Sequence, residues 1–253
     1  MLDAEGPDSV CGDIFAKAFM TEAGLQVFEG LKDDHNAYLS ILARHRAIDD
    51  LLRSEIAADP QLLVILIGAG FDSRAFRLKG GTWAEFDEPQ VIRHKDERLP
   101  VTQCENQLER IPIDFSTGSL EEKLSVFVGQ SPVVFVVEGV LMYLPEDEIE
   151  RLLRTLTRLF PKHKLIADMM NRKFLKNYGS SLHDKLSGIG ASFKFNPDKP
   201  ERVFLVNDYH LLSKTSIIRK AVELKLMKIP GILLKTALRT LADGNAVYVF
   251  EAS

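Results

Sequence analysis

The sequence predicts an α/β protein with a mostly parallel sheet that is covered by helices on both faces. Short apolar runs typical of buried strands recur along the chain, and helical patterns lie between several of them. Such alternation is typical of parallel sheets. The first run ends in Gly68-Ala69-Gly70, where a strand would turn tightly into a helix. A length of 253 residues, 45% of them hydrophobic, suits one domain with a cap.

The elements are predicted from apolar spacing in chain order. Residues 9–58 are predicted to be helical, with apolar positions spaced near 3.6 residues between Leu39 and Ile56. Asp59-Pro60 then ends the helix. A later helix is expected at 146–160, because Pro145 precedes an acidic first turn that suits the helix dipole. Strands are predicted at 62–67, 83–87, 109–113, 132–137, 164–169 and 245–251.

The region 171–243 differs from the rest of the chain. Glycines and prolines punctuate it, and no clean strand pattern stands out. Part of it is therefore expected to form a cap or lid over the ligand edge of the sheet, since long irregular insertions in compact domains are often functional. Residues 1–253 are interpreted as a single domain, with residues 1–58 as its N-terminal helical segment.

Composition excludes several classes of protein. The net charge of -4 and pI near 5.9 disfavour a nucleic-acid partner. Cys11 and Cys104 lack disulfide or zinc-site spacing, so reduced thiols and no metal are expected. Acidic residues interrupt residues 1–20, which is wrong for a signal peptide, and no apolar run approaches the ~18 residues of a membrane span. A soluble, cytoplasmic protein without stable membrane insertion is expected.

The glycine turn and a carboxylate further along the chain outline a nucleoside-binding crevice. Glycines at 68 and 70 allow the backbone to approach a ligand closely, and Asp87 is placed to accept the hydroxyls of a ribose. A dinucleotide fingerprint would require glycine at 73, where the chain has Ser73, so pyrophosphate binding is disfavoured. A tight turn without a ligand is the alternative for this motif.

Polar residues follow the strands that neighbour the crevice. Asp87 ends the second predicted strand, Asp114 and Phe115 follow the third, and Glu138 follows the fourth. Ligands of open α/β sheets bind at the carboxyl ends of the strands, so these groups should converge. A helix cap is the alternative for Asp87 and for Asp114. Glu138 interrupts an apolar run and needs a cation if it is buried.

Four motifs in this order resemble one family. Gly68 to Arg74, Glu85 to Pro89, Ile113 to Phe115 and Glu138 to Leu144 are similar to the leucine carboxyl methyltransferase family, in particular its bacterial O-methyltransferase branch. The resemblance covers residues 35–170 well. It implies the class I S-adenosylmethionine-dependent methyltransferase fold, with a Rossmann-like, mostly parallel seven-stranded sheet, N-terminal helices and a cap insertion.

The resemblance also implies residue roles around S-adenosyl-L-methionine. It assigns the methionyl carboxylate to Arg44, the amino-acid end to Gly68 and Gly70, the ribose to Asp87, the adenine to Asp114 and Phe115, and a position beside the cofactor to Glu138. The basic residue that protein-methylating relatives use near the N-terminus has no clear counterpart in residues 9–13. Methylation of a protein carboxyl terminus is therefore in doubt.

Methyl transfer from a sulfonium to oxygen requires mainly orientation in a dry pocket. A carboxylate acceptor arrives ionised, whereas a hydroxyl acceptor can require a base within reach. His35, His183 and His210 are weak candidates for that base, because histidine titrates near neutrality. Tyr143 is a candidate substrate contact, and its apolar neighbours argue equally for a core aromatic.

Lys214 to Arg239 form a basic, partly apolar segment. It contains seven basic residues against one acid. Such a segment can lie on an anionic membrane or cover a lipophilic substrate. A solvated face over a core stripe is the favoured interpretation.

The leading hypothesis is an O-methyltransferase acting on a carboxylate or hydroxyl of a small molecule, such as a polyketide-like or other secondary metabolite. The alternatives are a nicotinamide-dependent oxidoreductase, a protein carboxyl methyltransferase and a non-catalytic interaction protein. The sequence leaves the methyl acceptor and the oligomeric state open.

Overall fold

The computed structural model describes residues 3, 9–22, 24–25, 35–115, 119–130, 132–179 and 192–252. Within these ranges seven strands form one sheet in the order β3-β2-β1-β4-β5-β7-β6. The strands are β1 Leu63–Ile67, β2 Thr82–Asp87, β3 Gln107–Pro112, β4 Val133–Val137, β5 Lys164–Met170, β6 Tyr209–Ser216 and β7 Asn245–Ala252.

The first five strands run parallel, and β7 is antiparallel to both β5 and β6. Because β1 lies between β2 and β4, the chain after β1 turns at the point where the strand order reverses. Ligands of open α/β sheets bind outside the carboxyl ends of the strands at such a point. The mostly parallel fold and the six predicted strands are confirmed, with ends that shift by one or two residues.

Helices connect the strands and cover both faces of the sheet. They are α1 His35–Ala58, α2 Arg74–Arg77, α3 Pro89–Arg98, α4 Leu120–Ser125, α5 Glu146–Leu159, α6 Arg172–Phe174, α7 Arg202–Leu205, α8 Ile217–Glu223, α9 Gly231–Lys235 and α10 Arg239–Asp243. A π-helical turn, Leu175–Gly179, continues α6.

The core lies on both sides of the sheet, because alternate residues of a strand point to opposite faces. In β1, Ile65 packs into the cluster that α5 covers, while Val64 packs into the cluster that α1 and α8 cover. All five residues of β1 are buried. Burial on both faces explains why the central strands have continuous apolar sequences.

The N-terminal helix is shorter than the predicted 9–58. The structure has an α-helix over His35–Ala58 and, within residues 9–21, only a 3-10 turn over Ala16–Phe19; residues 22 and 24–25 are helical, and 26–34 lie outside the described residues. Gly12 takes a φ of +63°, and the Asp3 carboxylate accepts hydrogen bonds from the backbone N–H groups of Val10 and Cys11. The apolar spacing that predicts a helix belongs entirely to α1. The prediction of a helix over residues 9–21 is wrong.

The prediction that residues 171–243 contain no strand is also wrong, because β6 lies in that region. It is an edge strand, and most of its residues are exposed; Tyr209 is buried. An edge strand with solvated residues carries no apolar run, so the sequence gives no strand signal there. Residues 180–191 lie outside the described residues, and the expected cap in 171–243 stays a prediction.

The apolar residues of the basic segment are divided between core and surface. Ile217, Ile218 and Leu234 are buried, as in a core stripe, whereas Ile232 is 66% exposed and Leu233 is 41% exposed. No helix in the described part of the chain is both long and apolar enough to cross a membrane.

Candidate cofactor and acceptor site

The turn after β1 is fixed by hydrogen bonds to the end of β2. The backbone N–H groups of Gly68 and Ala69 donate to Phe86 O, at 2.9 and 3.0 Å. The next N–H, that of Gly70, donates to Asp87 Oδ2 at 2.6 Å. Both glycines have positive φ, +69° and +51°, which side-chain-bearing residues rarely adopt. The turn needs these glycines to fold back on β2.

Asp87 lies at the end of β2 and is held by backbone donors. Its Oδ1 accepts the N–H of Glu88 at 2.7 Å while Oδ2 accepts that of Gly70. A carboxylate oxygen has two lone pairs, so each oxygen retains one for a ligand hydroxyl. The structure places this carboxylate beside the glycine turn, as the sequence predicts.

The end of β3 lies next to Asp87. Ile113 N–H donates to Asp87 O at 2.9 Å, and Phe115 N–H donates to a Glu88 carboxylate oxygen at 3.2 Å. Asp114 is exposed, and Phe115 is 43% exposed. An exposed phenyl group at this position can pack against a flat ligand ring.

Arg44 and Glu138 form an ion pair that joins α1 to the end of β4. Arg44 Nε donates to Glu138 Oε1 at 2.8 Å. Burial alone raises the pKa of Glu138, but Arg74 and Arg44 bring that pKa well below its ordinary value. Glu138 is therefore a carboxylate, and the cation that its burial requires comes from the protein.

Asp168 on β5 completes the Arg44 site, and the sequence analysis missed it. Its Oδ2 accepts from Arg44 Nη1 at 3.0 Å, and its Oδ1 accepts the Gly139 N–H at 2.6 Å. Burial raises the pKa of Asp168, against the opposing effect of Arg44. An acid inside the apolar run of β5 is the same kind of signal that singles out Glu138, and it could have been found in that way.

Arg74 is a second residue of the site that the sequence analysis missed, and it links several of the surrounding acids. Its side chain is fully buried, and each of its three nitrogens has a partner. Nε donates to Asp49, Nη1 donates to Asp72 and Glu138, and Nη2 donates to His45 O and lies beside His45 Nδ1. The contacts to Asp49 and Glu138 are 2.6 and 2.7 Å long. The requirement of Glu138 for a cation is the signal that could have found Arg74.

The His45 ring lies between two arginines. Its Nδ1 is 2.8 Å from Arg74 Nη2, and its Nε2 is 2.9 Å from Arg77 Nη2. An arginine can only donate, and a neutral imidazole has one acceptor nitrogen, so only one contact is a hydrogen bond. Arg77 also donates to Asp49 at 2.8 Å, which ties this network to α1.

The N-terminal segment 9–22 packs against the outer side of the glycine turn. Ser73 Oγ donates to Asp13 at 2.7 Å, and Arg77 donates to Cys11 O at 3.0 Å. Further along, the Phe19 ring stacks on Phe71 with 5.4 Å between centroids. The segment thereby supports the turn.

Tyr143 lies in a 3-10 turn that follows β4 and Glu138. Its ring contacts that of Phe193 with 5.4 Å between centroids. Burial raises the pKa of Tyr143, Arg44 lowers it and Asp168 raises it, so the phenol is near the charged pair. The hydroxyl remains protonated and can donate a hydrogen bond.

The candidate bases receive little support. His210 lies near the start of β6 and pairs with Glu251, whose partner in β5 is Lys164, so it is at the opposite edge of the sheet from Glu138. His183 and the side chain of His35 lie outside the described residues. In the described part of the chain, no group of three or more His, Cys, Asp or Glu side chains could hold a metal.

A profile of the leucine carboxyl methyltransferase family matches residues 2–157, which is more than half of the chain. The chain belongs to the leucine carboxyl methyltransferase family. A relative from Streptomyces avermitilis is 32% identical over 216 residues, covering 79% of this chain and 75% of the relative. It bears the name "Putative S-adenosyl-L-methionine-dependent methyltransferase".

A protein of the same name from Parafrankia sp. is 32% identical over 173 residues, covering 62% of this chain. The match spans 55% of that relative's length. This leucine carboxyl methyltransferase family member also shares the class I fold with solved methyltransferases. Magnesium protoporphyrin IX methyltransferase from Synechocystis PCC 6803 superposes with a TM-score of 0.52 at 14% identity, covering 90% of this chain and 97% of its own.

Geranyl diphosphate methyltransferase superposes with a TM-score of 0.54 at 10% identity, covering 82% of this chain and 85% of its own. Identities this low support the fold alone. For this family member the comparisons thus establish membership and architecture, while the reaction is inferred below from the site.

Proposed function

We propose that the chain is an S-adenosyl-L-methionine-dependent O-methyltransferase that acts on a carboxylate or hydroxyl of a small molecule. The observation that carries this proposal is the convergence at one sheet edge: the Gly70 to Asp87 hydrogen bond lies at the ends of β1 and β2, and the Arg44 to Glu138 pair lies at the end of neighbouring β4. These are the residues to which family resemblance gives cofactor roles.

The residues fit the chemistry of that cofactor. Asp87 retains lone pairs for two ribose hydroxyls, and the Phe115 ring offers an apolar face to an adenine, with Asp114 beside it. Arg44 uses Nε and Nη1 for its acids and carries further N–H donors for the methionyl carboxylate. When bound, the cofactor supplies a methyl group that its sulfonium has already activated. The protein then has to orient the acceptor oxygen toward that methyl group and to exclude water from the pocket.

A nicotinamide-dependent oxidoreductase fits the site less well. In dinucleotide-binding folds, backbone N–H groups of the glycine turn receive the pyrophosphate. Here the N–H groups of Gly68, Ala69 and Gly70 are used internally. The nearby carboxylates of Asp72, Asp87 and Glu138 would also repel a dianionic bridge. We therefore do not favour this alternative.

We assign the methyl acceptor to the part of the site formed by the residues that follow β4. Tyr143 is half-buried there, near Arg44 and Asp168, and its protonated hydroxyl can donate to an acceptor oxygen. The Phe193 ring beside it provides an apolar wall. We infer that Tyr143 orients the oxygen that receives the methyl group. A carboxylate acceptor then needs no base, because it is already ionised.

The test combines binding and product identification. Purified protein should bind S-adenosyl-L-methionine in calorimetry and transfer labelled methyl groups to small metabolites, with mass spectrometry distinguishing a methyl ester from a methyl ether. Tyr143→Phe should reduce turnover without weakening cofactor binding. Transfer to peptides with a C-terminal leucine carboxylate, and not to small molecules, would instead favour the protein carboxyl methyltransferase alternative. Failure to bind the cofactor would refute the proposal.

A further inference from the structure

Carboxylates outnumber arginines at the carboxyl edge of the sheet. Arg44 and Arg74 bond three carboxylates there, those of Asp72, Glu138 and Asp168. Arg74 also contacts Asp49, but that carboxylate has its own partner in Arg77 at 2.8 Å. Among the described residues, this edge therefore has one more carboxylate than it has arginines to pair with.

The contacts indicate that Asp168 is the carboxylate with the least positive charge around it. Asp72 and Glu138 both bond the fully buried Arg74, and Glu138 bonds Arg44 as well. Asp168 has Arg44 as its one cationic partner among the described residues, and shares it with Glu138. The Asp168 side chain is 1% exposed, so water does not stabilise its charge. Burial also raises the pKa of Asp168, as expected for a carboxylate with too little positive charge around it.

Asp168 also fixes the orientation of Arg44. It holds Nη1 of Arg44, while Glu138 holds Nε, so two edges of the guanidinium are fixed. The other Asp168 oxygen anchors the Gly139 N–H. A Cβ at Gly139 would lie 3.5 Å from Arg44 Nη2, so the backbone there lies against the guanidinium. Two charge-assisted hydrogen bonds to two separate carboxylates leave the remaining N–H groups of Arg44 little freedom to reorient.

We propose that Asp168 is a positioning and specificity-determining residue that makes the site favour the sulfonium form of the cofactor over the demethylated product. This inference rests on the proposed function. The sulfonium form carries a net charge of one, from a sulfonium, an ammonium and a carboxylate, whereas the product carries none. A carboxylate in excess of the arginines at this edge attracts the sulfonium form through its net charge, and this attraction is missing for the product, which has no net charge.

The experiment measures binding of both ligands by calorimetry. Asp168→Asn keeps the size of the side chain and the acceptor for Gly139, but it removes the charge and presents N–H groups to Arg44. We expect the affinity for S-adenosyl-L-methionine to fall about tenfold or more, a free-energy change that one local charge can supply. The affinity for the demethylated product should fall less, so the ratio of the two affinities decreases.

Asp147→Asn is the matched control, because Asp147 is 75% exposed on α5 and should leave both affinities unchanged. Near-UV circular dichroism establishes that the variants are folded. If Asp168→Asn does not fold, the wild-type protein serves: an analogue with an ammonium in place of the methylsulfonium should bind more tightly than the neutral product. Equal losses for both ligands in the variant, or equal wild-type affinities for analogue and product, would overturn the inference. Absence of binding by wild type to either ligand would refute the proposed function instead.

Discussion

The Gly70 N–H group donates a 2.6 Å hydrogen bond to Asp87 Oδ2, which joins the turn after β1 to the end of β2. The two residues are 17 positions apart in the chain. This bond fixes the carboxylate at the strand end, and each of its oxygens keeps a lone pair that the backbone does not use.

Replacing this carboxylate should remove cofactor binding. Asp87→Ala deletes both acceptors for the ribose and releases Gly70, so we expect no measurable binding of S-adenosyl-L-methionine by calorimetry. The exposed Asp147→Ala serves as the control and should bind as wild type does. Unchanged affinity in Asp87→Ala would mean that the ribose assignment is wrong.

Alanine at Gly68 should cost more stability than alanine at a glycine that also has positive φ but lies in open space. Gly68 has a φ of +69°, and an added Cβ would lie 2.5 Å from Val140 Cγ2, so Gly68→Ala combines backbone strain with a clash. Gly129, with a φ of +87° and no atom within 4 Å of an added Cβ, is the matched control for strain alone. In urea unfolding we expect Gly129→Ala to lose about 1 kcal/mol and Gly68→Ala about 3 kcal/mol. Equal losses would contradict the close packing of Gly68 against Val140.

Arg74→Lys should strongly destabilise the fold, although it keeps the charge. A lysine has three donors on a single nitrogen and cannot reproduce the fork that bonds Asp49, Glu138 and His45. Breaking a buried network of this kind costs about 3–5 kcal/mol. Urea unfolding measures the loss, and Arg151→Lys, at a side chain that is 74% exposed, should be neutral. A loss below 1 kcal/mol in Arg74→Lys would show that the network adds little stability.

The free energy of unfolding should fall below pH 6.5 because of His163. This residue is buried, its Nδ1 lies 2.6 Å from Phe160 O, and its Nε2 lies 2.8 Å from Tyr209 Oη. Burial lowers the pKa of His163 in the folded state. Below the unfolded-state pKa of 6.5, the unfolded chain therefore binds a proton that the folded chain does not.

The contribution of His163 is fully present above pH 6.5 and is lost as the pH falls toward the lower folded-state pKa. Urea unfolding between pH 5 and 7.5 measures this slope, which is at most about 1.4 kcal/mol per pH unit for one group. His163→Gln should flatten it, whereas His210→Gln, at an exposed position on β6, should not. An unchanged slope in His163→Gln would exclude this residue as the source.

Local pattern was enough to predict the buried strands and the residues at their ends. Strands β1, β2, β4 and β5 have apolar runs because both faces are buried. The position of Asp87 next to the glycine turn follows from parallel strands that end at one edge. Edge strand β6 was missed because its side chains are largely solvated and carry no such pattern.

By itself, the sequence determined the α/β architecture, the glycine turn and the acids at the strand ends, because strand periodicity and turn chemistry are local properties. Only the tertiary structure decided which charges pair. Arg44 and Glu138 are 94 positions apart, and Arg44 and Asp168 are 124 positions apart. Charge pairing in a buried site depends on distances of a few ångströms and on the exclusion of water, and both arise only when α1, β4 and β5 pack together.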